Sequence, residues 1–356
     1  MAAPERGEAA GNRAAAYDPP DLERRTVNME HGAGFDLAPP ATQAVLVGRV
    51  EKLTADIVAI ELCPEHGREL LAFTAGSHVD LHLPNGLRRS YSLVNDPAER
   101  HRYRLAVKRE PGGRGGSAHI HDLLDVGHRL EVSRPRNNFL LEERASCSVL
   151  FAGGIGVTPL LSMALRLCRL GRPFHFHYGA RSRQDAAFVD DLRKLPLPEG
   201  STVRLHFEDA GGGPIDFRAI ADAAPDGSHF YCCGPGPMIA AFETQLAHVQ
   251  PSRLHREHFT GETVSAPQGG FEVVLAKSGR SIVVPEGVTI LDALLDEGVE
   301  VDFSCMEGFC GSCRVAVLEG SLNHHDTVLS PGERSSGKVM MICCSTAAGE
   351  RLVLDI

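Results

Sequence analysis

The chain has 356 residues, 43% of them hydrophobic, with 36 basic against 46 acidic side chains. A formal charge of −10 and a pI near 5.9 leave no electrostatic footprint for nucleic acid or anionic lipid. No apolar run approaches the roughly 18 residues needed to span a bilayer, and at about 150 residues per domain the length predicts two or three domains.

Residues 1–42 are rich in Ala, Gly, Pro, Glu and Arg without periodicity and read as a disordered extension. Short alternating runs follow at 45–50, 57–62, 78–83, 90–94, 103–108 and 129–133, with turn residues such as Pro84-Asn85-Gly86 between them and one helix-like stretch at 117–124. This series predicts a small antiparallel β-barrel over 43–142. On its fourth strand, Arg89-Ser90-Tyr91-Ser92-Leu93 places Arg89 and Tyr91 on one face, where a guanidinium and a ring can hold a flat ring system and its phosphate. An ordinary alternating strand with an exposed Arg is the alternative. Gly112-Gly113-Arg114-Gly115-Gly116-Ser117 then opens a helix: its backbone N–H groups suit a phosphate, with Ser117 capping the helix or donating to the anion, and a plain flexible turn is the competing reading.

The apolar run 148–151 leads into Gly153-Gly154-Ile155-Gly156-Val157-Thr158-Pro159 and a helix at 160–170. Strands at 174–178, 202–207 and 229–232 then alternate with helices at 186–194, 217–223 and 237–248. The alternation predicts a doubly wound parallel sheet over 143–260, with ligand at the carboxyl ends of its strands. The glycines let a pyrophosphate approach the backbone, although Pro159 departs from the usual G-x-G-x-x-G and a plain strand–turn–helix accounts for the same residues. Cys232-Cys233-Gly234-Pro235 ends a later strand, where small residues can flank a nicotinamide; a buried Cys before a turn is the simpler reading. Arg181 and Arg183, after the second strand, can pair with a 2′-phosphate.

A linker is predicted at 261–270, and the final unit, 271–356, starts with a hairpin at 271–276 and 281–284 and a helix at 289–297. The loop Ser304-Cys305-Met306-Glu307-Gly308-Phe309-Cys310-Gly311-Ser312-Cys313 follows, and a distant Cys343 or Cys344 completes a C-x4-C-x2-C…C pattern. That is the plant-type [2Fe–2S] spacing, whereas structural zinc prefers two close pairs. With four of ten cysteines spent this way and no apolar leader at the start, a cytoplasmic setting is expected. The 17 histidines, His324-His325 and His175 with His177 among them, read as surface or packing residues. Between Glu286 and Glu307 there are seven acidic residues and no Lys or Arg, either a solvated face or a dock for a basic partner.

Taken in this order, the four motifs resemble the flavin-dependent ferredoxin reductases, in particular the phthalate dioxygenase reductase type, over about 43–356. The resemblance implies an antiparallel flavin-binding β-barrel, a doubly wound NAD domain and a C-terminal β-grasp ferredoxin domain. By similarity, Arg89 contacts the flavin phosphate, Tyr91 packs beside the isoalloxazine and Ser92 hydrogen-bonds it. Gly116 and Ser117 match the phosphate turn, and Gly154, Gly156, Thr158 and Pro159 match the pyridine-nucleotide turn with Gly153 leading into it. Cys233-Gly234-Pro235 lies beside nicotinamide, and Phe259, in Glu257-His258-Phe259, covers the flavin. FMN rather than FAD, NADH as the usual coenzyme, and Cys343 rather than Cys344 as the last iron ligand also follow from the resemblance, although Thr346 stands where the family has Arg.

Nicotinamide gives up two electrons as hydride while a [2Fe–2S] cluster accepts one at a time, so a flavin belongs between them. The expected function is an NADH-dependent reductase component, a monomer that serves a separate Rieske-type oxygenase or demethylase. A cytochrome P450 acceptor and a flavin-free [2Fe–2S] carrier or sensor are the alternatives. Nicotinamide and flavin are expected to meet at the barrel–sheet cleft, with the Cys305 loop turned toward the flavin edge.

Overall fold

The computed structural model describes residues 42–113, 115–211, 213–259, 270–306 and 308–356. The expected disordered extension and linker therefore lie, but for Thr42 and Gly270, outside the described residues.

Six strands build the first unit: β1 (Thr42–Lys52), β2 (Ile57–Pro64), β3 (His78–His82), β4 (Arg88–Ser92), β5 (Tyr103–Lys108) and β6 (Arg129–Ser133), with helix α1 (Gly116–Leu123) between the last two. They pair antiparallel in the order β4-β3-β6-β1-β2-β5. Just past β4, the Val94 N–H donates to the Arg104 carbonyl at 2.8 Å and draws the two edge strands together into a barrel. Alternate residues such as Val45, Val47, Leu105 and Val107 fill its interior, and Ile120 of α1 plugs one side. A bulge falls between Val47 and Arg49, where a Cβ on Gly48 would stand 2.8 Å from Cys63 Sγ.

In the second unit β7 (Ser148–Gly153), β8 (Phe174–Ala180), β9 (Thr202–Phe207), β10 (His229–Cys233) and β11 (Leu254–Glu257) form a wholly parallel sheet in the order β11-β10-β7-β8-β9. Helices α2 (Val157–Leu170), α3 (Val189–Arg193), α4 (Phe217–Asp222) and α5 (Gly236–Gln245) cross between its strands. Every residue of β7 is buried, as a central parallel strand requires. The apolar cluster under this sheet includes Ile57, Ala59, Val94 and Ala106 of the barrel, so the two units share a core. Ser162 of α2 adds a hydrogen bond to the Asn95 carbonyl at 2.9 Å.

A mixed five-stranded sheet forms the third unit, in the order β13-β12-β18-β14-β16. Its strands are β12 (Phe271–Leu275), β13 (Ser281–Val284), β14 (Arg314–Glu319), β16 (Val339–Met341) and β18 (Arg351–Leu354), and β15 (Leu322–Asn323) pairs separately with β17 (Thr346–Ala347). Helix α6 (Ile290–Asp296), capped by Thr289, packs Ile290, Leu291 and Leu294 onto the sheet, and α7 (Pro331–Ser336) precedes β16. The parallel β12–β18 ladder flanked by antiparallel strands, with a helix across it, is a β-grasp.

Several elements differ from expectation. Helix α2 begins at Val157, three residues before the expected start, because Pro159 is tolerated within a first helical turn. Helix α3 is shorter than 186–194. Ser117 is not the cap of α1: Gly115 is, in a left-handed conformation with φ 84°, and Ser117 Oγ instead accepts from the Glu110 N–H at 3.1 Å. Among the described residues no helix is long and apolar enough to cross a membrane.

Candidate functional site

The first part of the site is a cavity of about 540 Å³ at the carboxyl ends of β7, β8 and β9. Its wall includes Gly153, Gly154, Arg181, His206, Glu208 and Pro235. The glycines of the β7–α2 turn serve different purposes. Gly154 has φ +53° and open space where a Cβ would sit. A Cβ on Gly156 would stand 2.1 Å from the Cys233 carbonyl oxygen, and one on Gly153 would stand 2.5 Å from Met238 Sδ. Two strand-end turns thus pack backbone to backbone. Thr158 is buried and donates to the Ile155 carbonyl at 3.0 Å, which ties the turn to its helix. Cys233 is enclosed at the end of β10, and burial pushes its thiol well above the usual range, so it stays protonated. Arg181 lines the cavity; Arg183 does not, and stands 3.9 Å from Asp190.

The second part is strand β4 and the start of α1 beside it. Arg89 lies across the start of α1, where a Cβ on Gly116 would meet its Cγ at 2.8 Å. A guanidinium is thereby held against helix-start N–H groups, an arrangement suited to a phosphate. Tyr91 packs on the barrel core, which pushes its hydroxyl up, and Ser92 is buried beside it.

The third part is the thiol loop between α6 and β14. Positive φ at Met306 (58°), Gly308 (77°) and Gly311 (76°) curls it, and the Cys305 N–H points at Cys310 Sγ at 3.4 Å. Cys310 interacts with Cys305, and Cys343 with Cys305, Cys313 and its neighbour Cys344. Contact with Cys305, then the remaining crowding and burial, pushes both the Cys310 and Cys343 thiols up. Thiols crowded in this way would give up their protons to a bound cation, and an all-sulfur, buried set with a backbone donor fits an iron–sulfur cluster. Cys344 directs its Sγ at the Met341 carbonyl, 3.8 Å away, and packs against Gly308.

All three units meet at one junction lined by His78, Ser90 and Ser92 of the barrel, Glu257 and Phe259 after β10, and Phe309 and Cys310 of the thiol loop. Sequence reasoning missed Glu257 as a site residue. Its Oε2 is closed to solvent and has no hydrogen-bond partner among the described residues, and burial pushes the carboxyl up to about 8. Its proximity in sequence to Phe259 was the one available signal.

A family model described as an oxidoreductase FAD-binding domain matches residues 44–140, an oxidoreductase NAD-binding domain matches 150–244, and a 2Fe-2S iron-sulfur cluster binding domain matches 273–348. The phenoxybenzoate dioxygenase subunit beta of Ectopseudomonas oleovorans is 50% identical over 301 residues, covering 85% of this chain and 93% of that protein. A solved phthalate dioxygenase reductase superposes with TM-score 0.68 at 38% identity, covering 88% of this chain and 98% of that one. An intact type IV self-sufficient cytochrome P450 monooxygenase superposes with TM-score 0.78 at 38% identity over 88% of this chain, which spans 41% of that longer one. The architecture is that of an NAD(P)H-dependent flavin and iron–sulfur oxidoreductase. The chain belongs to the phthalate dioxygenase reductase family.

Proposed function

We propose that this protein is a monomeric reductase component that oxidises NADH and delivers electrons singly, by way of FMN and a [2Fe–2S] cluster, to a separate Rieske-type oxygenase or demethylase. The observation that carries the reading is the junction where Ser90 and Ser92, Phe259, and Cys310 line one space, because hydride and electron transfer both demand close approach. The flavin barrel is assigned to 43–142, the NAD domain to 143–260 and the iron–sulfur domain to 271–356.

When bound, the flavin supplies the conversion from a two-electron hydride to single electrons. The chain's own residues do the positioning. Arg89, Gly116 and Ser117 hold the flavin phosphate, Tyr91 and Ser92 orient its ring, and Phe259 shields the ring from water. Gly154, Gly156, Thr158 and Pro159 receive the coenzyme pyrophosphate, with Gly153, Gly234 and Pro235 shaping the approach. Cys233, protonated and enclosed, contributes shape beside the nicotinamide rather than a nucleophile. Cys305, Cys310, Cys313 and Cys343 ligate iron. NADH is favoured over NADPH because three carboxylates, Asp56, Asp185 and Glu208, line the cavity against two cations, Lys108 and Arg181, and oppose a 2′-phosphate.

An anaerobic NADH titration followed by absorbance and EPR tests the reading: the flavin band bleaches and a reduced [2Fe–2S] signal appears. Flavin bleaching in iron-loaded protein with no such signal would remove the thiol loop as the electron exit. A second reading, a P450 acceptor, is favoured by the likeness to the self-sufficient P450 and is separated by offering the reduced protein each acceptor.

A further inference from the structure

Charge as well as shape holds the thiol loop on the barrel. Asp80, on β3, has a side chain only 6% exposed. Its carboxylate accepts from Arg136 Nη2 at 2.5 Å and from Ser90 Oγ at 2.6 Å. The same Arg136 nitrogen donates to Ser312 Oγ at 2.8 Å, and Ser90 Oγ lies 3.0 Å from Ser304 Oγ. Asn138 adds a bond from its Nδ2 to the Cys310 carbonyl at 3.0 Å. Two barrel residues, each ordinary in sequence, therefore sit at the centre of a network that reaches both ends of the loop and touches β4.

An ion pair between a buried Asp80 and a part-exposed Arg136 adds little net stability over apolar packing, since desolvation of the carboxylate offsets the attraction. What it adds is register, because directional bonds from a planar guanidinium fail when partners slide. An apolar interface between the two units would tolerate such sliding. Neither Asp80 nor Arg136 lines the coenzyme cavity or the junction space.

We propose that Asp80 and Arg136 are positioning residues for the electron exit, clamping the 303–312 loop against the flavin strand so that transfer within the molecule runs at a fixed separation. This rests on the flavin-to-iron reading above. Each NADH supplies a hydride, two electrons with one proton; the iron centre would take one electron, pass it to the acceptor protein and then take the second, the proton going to solvent. The clamp makes and breaks no bond in either step.

The test uses holoenzyme carrying Asp80→Asn, Arg136→Gln, both together, or Ser304→Ala, with flavin and iron content matched to the parent. Anaerobic stopped-flow separates flavin bleaching by NADH from the later reduction of the iron centre. Amide hydrogen exchange reports on the loop itself. Flavin bleaching is expected at the parental rate, while iron reduction slows about ten-fold or more as the loop moves away from the flavin strand. Exchange in the loop should quicken, the iron midpoint potential should stay near that of the parent, and the double variant should be no slower than Arg136→Gln, because the two residues act as one unit. Parental iron-reduction rates and loop exchange in the loaded variants would overturn the proposal, as would slowing explained wholly by a shifted potential. Ser304→Ala leaves no buried charge unpaired, so it answers the question if Asp80→Asn does not fold; an unaltered Ser304→Ala protein would then count against the clamp. If the parent itself bleached without reducing iron, the functional reading would fail, and loop exchange would still score the clamp.

Discussion

Cys343 and Cys344 are neighbours in sequence but not in surroundings. Cys343 meets Cys305 and Cys313 as well as Cys344, whereas Cys344 turns to the Met341 carbonyl and packs on Gly308. Cys343→Ser is expected to lose most of the bound iron and Cys344→Ser to keep it, as measured by iron content and visible absorbance. At Glu257 the prediction concerns pH. The carboxyl titrates near 8 in the folded protein and at its ordinary value near 4.5 in the unfolded chain. The unfolded state therefore binds fewer protons between those values, and folding stability falls as pH rises through that window. An infrared carboxyl band that disappears near pH 8, and is missing from Glu257→Gln, would verify the assignment; a band lost near pH 4.5 would refute it. The Cys305, Cys310 and Cys313 loop was legible in the sequence because cluster chemistry prescribes both residue type and spacing, whereas spacing alone left Cys343 and Cys344 open. Asp80 and Arg136 were not, since their partners lie up to 232 residues away and nothing local distinguishes them.

At the level of elements, the β7–α2 turn shows how one glycine motif divides its work. Gly156→Ala drives a methyl into the Cys233 carbonyl, and an overpacked contact of this kind costs about 1–3 kcal/mol. Gly154→Ala meets no atom but must hold φ +53°, a strain of about 1–2 kcal/mol, and its methyl faces the cavity. The first variant should mainly lower the melting temperature and the second mainly raise KM for NADH. Equal effects on both measurements would contradict the division. The elements that alternate cleanly, or that run straight into glycine, were legible in the sequence. Strand β11, with the sequence LHRE, was not: it has no period and owes its place to pairing with β10. The late strands of the third unit were equally hidden, because β18 pairs with β12 across some 80 residues of intervening chain.

For the whole molecule the charge distribution matters most. Glu286, Asp296, Glu297, Glu300 and Asp302 are exposed on the run leading into the thiol loop, and among the described residues only Glu297 of these is engaged by a cation, Arg280 at 3.0 Å; Glu307 lies outside the described residues. Steering by such a face is screened over about 8 Å at physiological salt. Electron delivery to the true acceptor should therefore slow with rising ionic strength, while reduction of the flavin and iron by NADH within the chain should not; a salt-independent rate with the acceptor would assign this face to solvation alone. The three-unit order was visible from motifs, but the shared core of the first two units and the polar seam to the third arise from contacts no local pattern encodes. The β12–β18 ladder carries a consequence of another kind. Phe271, where β12 opens, and Leu354, where β18 closes, lie at opposite ends of a ladder about 13 Å long, at 3.3 Å per residue. A module whose entry and exit stand about 13 Å apart needs only about four extended residues to bridge them, which eases transplanting. It can be grafted into a host loop, or rejoined head to tail, with little distortion of its sheet, so the iron-bearing piece is portable between chains in a way the interlocked barrel and nucleotide sheet are not.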